Sequence, residues 1–213
     1  MKKFLTRLRA TAWRTAGARY NASRRLRQRE SFSTISLALF SSLSIAVTFA
    51  QRIYSPSAGS PLDNYLTALL ASLGVFLLAI SLLEWGAAHG AKADALHRNA
   101  EELTAYQLKL AQILAHLDIV GTIEDSRVDD LRLEYEAIKD RCAYNHEPSD
   151  DRLFRAQQRH APEFAASENV RSMGMLEAWW ILIRWQVSTV WYFGFFWLTI
   201  CGAVAYAWYV PKG

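Results

Sequence analysis

The 213-residue sequence has few of the features that carry enzyme chemistry. It contains only two cysteines, Cys142 and Cys201, which lie far apart and indicate a reducing compartment without a disulfide framework. Phosphate-binding glycine loops and the GxGxxG, HExxH and GxSxG motifs do not occur. Cys142, His146 and Asp150 are spaced by four residues, but Pro148 breaks the helix that would align them as metal ligands. We therefore expect no enzyme activity, no metal site and no cofactor.

Acidic residues are nearly absent from the first thirty positions, which hold ten Lys or Arg and a single acid. This arm is too long for the basic region of a secretion signal. Residues 1–32 are predicted to form a basic amphipathic helix, since these apolar residues fall close to one face: Leu5, Leu8, Ala12, Ala16 and Leu26. The arginines predicted to contact anionic lipid or nucleic-acid phosphates are Arg14, Arg19, Arg24, Arg25, Arg27 and Arg29. An ordinary solvated helix surface is the third alternative.

Charge is also missing from three long apolar runs, at residues 33–50, 66–83 and 191–210. A helix of about twenty residues crosses the hydrocarbon core of a bilayer. Residues 33–83 are therefore predicted to form a transmembrane hairpin, with buried helices of a soluble bundle as the alternative. The aromatic segment 176–213 is predicted to combine an interfacial stretch with a third span, because tryptophans and tyrosines lie at both ends of its apolar run.

The distribution of basic residues predicts the orientation of the hairpin. Residues 1–32 carry ten Lys or Arg, whereas the connector between the first two runs carries one, Arg52. Because loops rich in Lys and Arg stay in the cytosol, we expect a cytosolic N-terminus and a cytosolic region at 84–175.

Hydroxyl side chains form a stripe along the first apolar run. Thr34, Ser41, Ser44 and Thr48 are separated by seven, three and four residues, so they share one helical face. The second run has a small-residue face, made of Thr67, Ala71, Gly74 and Ser81. Two interpretations are open: the faces hold the hairpin together, or the hydroxyl stripe faces a water-filled path in an oligomer.

A heptad pattern follows the second apolar run. The positions alternate steps of four and three from His89 to Leu117, and they include Leu96, Ala100, Leu103, Leu110, Leu114 and Leu117. A second helix is predicted from Ser126 to Ala143. The heptad leucines indicate either an intramolecular helical bundle or an interface between copies of the chain. The predicted fold is thus all-α: a membrane hairpin that continues into a cytosolic coiled-coil bundle, followed by an aromatic third span.

Five segments in a fixed order resemble the SLATT family of bacterial two-transmembrane effectors. They are the Arg-rich "ARYNASRRL", a Ser-rich span, a span that ends in "SLLE", "ALHRNAEEL" and "YNHEPSD". The resemblance covers about residues 10 to 160 and is closest to the branch found beside reverse transcriptases.

The resemblance implies an anti-phage effector that oligomerises in the bacterial inner membrane and permeabilises it, causing growth arrest or abortive infection. The implied partners are further copies of the chain, membrane lipid, and either a reverse transcriptase with its RNA or a nucleotide-signal synthase. The alternative is a regulatory scaffold that forms no pore and holds a reverse transcriptase and its nucleic acid through the basic arm.

Overall fold

The computed structural model describes residues 1–54, 57–165, 173–207 and 209–210. Helices are the only regular elements in these ranges, so the predicted all-α class is confirmed. In chain order they are α1 (Lys2–Tyr54), α2 (Pro61–Ala87), α3 (His89–Val120), α4 (Asp125–Asp140), α5 (Pro148–Gln157), α6 (Pro162–Ala165) and α7 (Met175–Tyr206).

Three of the helices are long and apolar enough to cross a membrane. They are α1, the stretch that begins with α2 at Pro61, and α7. Each of the three contains all or most of one apolar run, and α7 contains most of the run that is predicted to form the third span. Isoleucine, leucine and phenylalanine side chains on these helices remain exposed, with Phe49 at 64% and Leu198 at 77%. Such exposure suits lipid as the surrounding solvent.

The chain divides into two compact units. The bundle unit consists of residues 1–27 and 90–188, and the apolar unit consists of residues 28–89 and 189–213. The boundary predicted between residues 32 and 33 therefore falls inside α1, whose first half is part of the bundle unit. The basic arm is a structural helix of that unit because its apolar face is buried there.

The core of the bundle unit joins α1, α3 and α4. Leu5, Leu8, Ala12 and Ala16 of α1 are buried, as the helical spacing predicts, and Leu26 is buried further along the same helix. The first four contact an inner set from α3 and α4: Leu103, Tyr106, Leu110, Leu117, Leu131, Tyr135 and Ile138. Burial of these apolar side chains is the main source of stability for the bundle unit.

Helix ends follow local sequence signals. Ser60 caps α2 by accepting a hydrogen bond from the backbone N–H of Asp63 at 3.2 Å, and Pro61 occupies the first turn. Gly121 follows α3 with φ +79°, as expected for the residue that ends this helix. Ala88 separates α2 from α3 with φ 47° and ψ 44°, a left-handed conformation that is uncommon for alanine.

Candidate functional site

The hydroxyl stripe of α1 faces outward from the apolar unit. Thr34, Ser41 and Thr48 are exposed, and Ser44 is half-buried. Ser41, Ser44 and Thr48 each donate to the carbonyl oxygen four residues earlier, at 2.8 to 2.9 Å. Because these hydroxyl protons are satisfied within the helix, the stripe is chemically compatible with lipid, with water or with another helix.

The small-residue face of α2 is also directed outward. Thr67, Ala71 and Gly74 are exposed, and no atom lies within 4 Å of a Cβ built on Gly74. Thr67 nevertheless contacts α1, because its Oγ1 accepts a hydrogen bond from Gln51 Nε2 at 3.1 Å. Both interpretations of the two faces stay predictions. Large side chains provide most of the packing between the helices of one copy.

The interior of the apolar unit is filled by apolar side chains from three helices. Phe40 of α1, Leu73 of α2 and Ile200 of α7 are buried together. The rings of Phe40 and Trp197 lie 4.3 Å apart between centroids, and those of Phe76 and Phe196 lie 5.1 Å apart. Because aromatic rings occupy its middle, one copy offers the hydroxyl stripe no water-filled path of its own.

Two hydrogen bonds fix α7 against the hairpin. Trp197 Nε1 donates to Ser36 Oγ at 3.1 Å, and the Tyr65 hydroxyl donates to the carbonyl oxygen of Ala203 at 2.7 Å. The ring of Phe193 stacks on that of Phe32, four residues before the Trp197–Ser36 pair on each helix. Because the contacts advance in the same direction along both helices, α7 runs parallel to the α1 segment of this unit. Ser36 could not be singled out in advance, because it is one serine among several in an apolar run and has no distinguishing neighbour.

The predicted lipid- or phosphate-binding arginines occupy several different environments. Arg24 is exposed and Arg29 is half-buried, whereas Arg19 and Arg25 are only 3% and 5% exposed. Arg14 donates from Nε and Nη2 to Asp151 at 2.6 and 2.5 Å, and Arg27 donates to Asp94 at 2.9 Å. Four of the six guanidinium groups thus bind protein groups in the bundle unit.

Asp150 is the centre of a buried polar cluster in the bundle unit. It is fully buried and accepts hydrogen bonds from Arg25 Nε at 3.1 Å and Nη2 at 3.0 Å. Trp185 Nε1 donates to the same carboxylate at 3.0 Å, and the backbone N–H of Glu147 donates at 2.9 Å. Asn21 Nδ2 donates to the Asp150 carbonyl oxygen at 3.2 Å. Asp150 therefore joins α1, α5 and α7 and is not positioned as a free metal ligand.

A second buried cluster joins α1, α3 and the end of α4. Arg19 donates to Asn99 Oδ1, and Asn99 Nδ2 donates to the carbonyl oxygen of Ile138 at 2.6 Å. Desolvation by burial lowers the pKa of Arg19 from its ordinary value. The two clusters bring together three of the segments that carry the family resemblance, "ARYNASRRL", "ALHRNAEEL" and "YNHEPSD". Sequence reasoning missed the roles of Asn21, Asn99 and Trp185.

The heptad residues of α3 are used inside one chain. Leu96, Ala100, Leu103, Leu110 and Leu117 are buried, and Leu114 is half-buried against the same core. Leu96 packs with Ala22 and Leu26 of α1, whereas Leu103 and Leu110 belong to the core shared with α4. In this conformation these side chains are not accessible to a second copy, which favours the intramolecular alternative.

Within the described residues, no group of three or more His, Cys, Asp or Glu side chains is arranged to hold a metal ion. Cys142 is half-buried and Cys201 is exposed, both as free thiols.

Comparison with known proteins gives one family. No curated protein and no solved structure matches the chain. The sequence matches the family described as "SMODS and SLOG-associating 2TM effector domain family 5" over residues 1–206. The match covers both units and all seven helices, although the family description specifies two transmembrane segments and α7 is a third candidate. The chain therefore belongs to the SLATT group of two-transmembrane effector domains, as the sequence resemblance predicts.

Proposed function

We propose that this effector assembles in the bacterial inner membrane and permeabilises it when a partner sensor detects phage infection, which arrests or kills the cell. At high protein density, in vesicles or after induced expression, mass action drives the same assembly without the sensor. The family supports a membrane effector associated with defence partners. The N-terminus and the bundle unit lie in the cytosol in this proposal, because the arm carries ten Lys or Arg and the connector carries one.

The outward direction of the hydroxyl stripe is the observation that supports permeation most strongly. Aromatic side chains fill the interior of a single apolar unit, so a polar path must form between copies. Thr34, Ser41, Ser44 and Thr48 supply hydroxyls along about 21 Å of helix at 1.5 Å per residue. In an assembly these hydroxyls would line the path, while the apolar faces of α2 and α7 contact lipid or neighbouring copies.

The small-residue face of α2 supports close packing of copies. Exposed Thr67, Ala71 and Gly74 recur at steps of four and three along one face. Small residues at such spacing let two helix backbones approach closely in a bilayer, where van der Waals contact drives association. This face is a better candidate for the contact between copies than the α3 leucines, which are buried in the bundle unit.

The partner in this proposal is a reverse transcriptase with its RNA, or a nucleotide-signal synthase. The alternative function, a scaffold that binds nucleic acid through the basic arm, has weaker support. Arg19 and Arg25 are buried, and Arg14 and Arg27 form ion pairs with Asp151 and Asp94.

Dye release from lipid vesicles tests the proposal. We would reconstitute the full chain at high protein-to-lipid ratio and compare Ser41→Leu/Thr48→Leu with Ser42→Leu. Ser42 is a matched control because it is exposed on α1, lies outside the stripe, and donates to its own helix at 2.9 Å. We expect the stripe variant to lose at least about tenfold in release rate, which is about 1.4 kcal/mol, while Ser42→Leu keeps the rate. Equal release rates in the unmodified chain and in both variants would contradict a role of the stripe in permeation.

A further inference from the structure

Two arginines form a basic face on the outside of α5, in the bundle unit. Arg152 and Arg155 lie three residues apart and are neighbours on the helix surface, whereas Leu153 and Phe154 are buried. The two acids of α5 do not neutralise these arginines, because both acids bind arginines of α1. Within the described residues, neither Arg152 nor Arg155 forms an ion pair. The basic face is therefore free to meet an acidic partner.

An acidic face lies on the outside of α4, in the same unit. Leu133 is 55% exposed at its centre, and Asp125, Asp129 and Asp130 precede it by eight, four and three residues. At about 100° per residue, the three carboxylates lie within about 80° of Leu133 around the helix. Asp129 has an exposed partner, Arg132, at 3.8 Å, whereas Asp125 and Asp130 have no ion-pair partner among the described residues. α4 holds six acidic and three basic residues, so negative charge prevails on it.

The two faces belong to helices that pack on roughly opposite sides of α1. Thr15 and Arg19 of α1 form hydrogen bonds with residues of α4. Gly17 and Asn21 of α1 contact residues of α5. At about 100° per residue, these two pairs of α1 residues are separated by roughly 200° around the helix. The acidic and basic faces of one copy therefore point away from each other and are available to different neighbours.

We propose that the basic face of α5 docks on the acidic face of α4 in a neighbouring copy of the chain. The guanidinium groups of Arg152 and Arg155 pair with the aspartates, and their aliphatic stems cover Leu133. Such a contact joins two different surfaces, so it is heterologous and repeats from copy to copy until a ring closes. The inference rests on the proposed function, because assembly in one membrane gives all copies the same orientation.

Charge complementarity favours a second copy as the occupant of both faces. The chain itself supplies the two complementary surfaces, whereas anionic lipid would cover the basic face and leave the acidic face and Leu133 exposed. Pairing of α4 with α4, or of α5 with α5, brings like charges together and is disfavoured. A single exposed ion pair contributes little free energy. Confinement in the membrane raises the effective concentration of copies and allows several such pairs to act together.

Cross-linking of the reconstituted full chain tests the inference. The vesicles contain phosphatidylcholine, which has no net charge, and the cross-linker reacts with lysines, which no variant changes. One variant is Asp129→Arg/Asp130→Arg, and the other is Arg152→Asp/Arg155→Asp. Each variant alone brings like charges together, so we expect the oligomeric fraction to fall at least about fivefold. An equal mixture of the two variants restores opposite charges at every contact and should recover the oligomers of the unmodified chain.

Arg98→Asp is the control, because Arg98 is exposed on α3, outside both faces, and should leave cross-linking unchanged. Undiminished oligomers in either charge-reversed variant would overturn the inference. Loss in each variant without recovery in the mixture would overturn it too, and would assign the loss to altered folding. Recovery in the mixture requires both variants to be folded.

The same vesicles separate this inference from the proposed function and from lipid binding. Dye release that persists together with undiminished cross-linking of the variants would overturn the inference alone. An unmodified chain that neither cross-links nor releases dye would overturn the inference and the proposed function together. In a second set of vesicles that contain phosphatidylglycerol, cross-linking lost only in Arg152→Asp/Arg155→Asp would assign the basic face to anionic lipid and overturn the docking of copies.

Discussion

Arg25 and Asp150 form a bidentate ion pair in the interior of the bundle unit, with N–O distances of 3.1 and 3.0 Å. Asp150 is fully buried, and Arg25 is 5% exposed. The pair connects the segment "ARYNASRRL" with the segment "YNHEPSD", and Trp185 of α7 binds the same carboxylate. These two segments of the family resemblance therefore contact each other, and their ion pair stabilises the fold.

Replacing Asp150 by alanine should strongly destabilise the bundle unit. Among the described residues, it would leave the buried guanidinium of Arg25 with Glu147 as its one ion-pair partner, and the Glu147 carboxylate lies 2.8 Å away but is 57% exposed. Removal of one partner of a buried pair costs about 3–5 kcal/mol. Denaturant unfolding followed by tryptophan fluorescence measures the change. Asp94→Ala is the control, because the Arg27–Asp94 pair is exposed and should contribute less than about 1 kcal/mol. Similar losses in the two variants would contradict a special role for the buried pair.

Gly17→Ala should also destabilise the bundle unit. A Cβ at this position would lie 2.0 Å from Cε2 of Phe154, whose ring is buried against α1. Forcing such an overlap into a packed core costs about 1–3 kcal/mol. Gly86→Ala serves as the control, since a Cβ there meets no atom within 4 Å and alanine is the better helix former by about 1 kcal/mol. Thermal melting should give opposite signs for the two variants, and equal signs would argue against the close contact.

Ala88→Gly should stabilise the chain. Ala88 has φ 47°, and the left-handed conformation costs an L-residue with a Cβ about 1–2 kcal/mol relative to glycine. We expect a gain of about 1 kcal/mol in thermal melting. The exposed helical Ala91 offers the contrast, because Ala91→Gly should lose about 1 kcal/mol. A loss in both variants would show that Ala88 adopts an ordinary helical conformation.

His146 should make the bundle unit less stable in mild acid. Burial lowers its pKa from the ordinary value of 6.5, with a smaller opposing contribution from Asp151. As the pH falls below 6.5, the unfolded chain binds a proton at this imidazole before the folded chain does, so stability decreases. His146→Gln should therefore show a smaller fall in melting temperature between about pH 7.5 and 5.5 than the unmodified protein. His116→Gln, which removes an exposed imidazole on α3, is the control. An unchanged fall in His146→Gln would refute this assignment.

The spacing of apolar residues correctly predicted helical features that depend only on residues nearby in the sequence. The spacing of Leu5, Leu8, Ala12 and Ala16 correctly identified the buried face of α1, and the helix predicted at 126–143 is found at Asp125–Asp140. Gly121 follows α3 with φ +79°, a conformation that glycine adopts readily. These features depend on residues within one or two helical turns, so they can be derived without knowledge of the tertiary contacts.

Contacts across long sequence separation could not be predicted. Arg25 and Asp150 are 125 residues apart, and an arginine in a basic arm looks like a surface residue until its partner is known. Ser36 gained its role only from Trp197, which is 161 residues away. The surroundings of the hydroxyl stripe were ambiguous for the same reason. Its spacing shows that the four residues share one helical face, but it does not show what that face contacts.

The most direct test of the proposed function is a membrane-potential dye measurement in cells after induced expression of the chain, combined with a carbonate wash of the membranes. We predict that the protein stays in the washed membrane pellet and that the potential falls within minutes of induction, with Ser42→Leu behaving like the unmodified chain and Ser41→Leu/Thr48→Leu leaving the potential intact. Protein in the soluble fraction with an intact potential would contradict the membrane effector and direct attention to a scaffold bound to a reverse transcriptase and its nucleic acid.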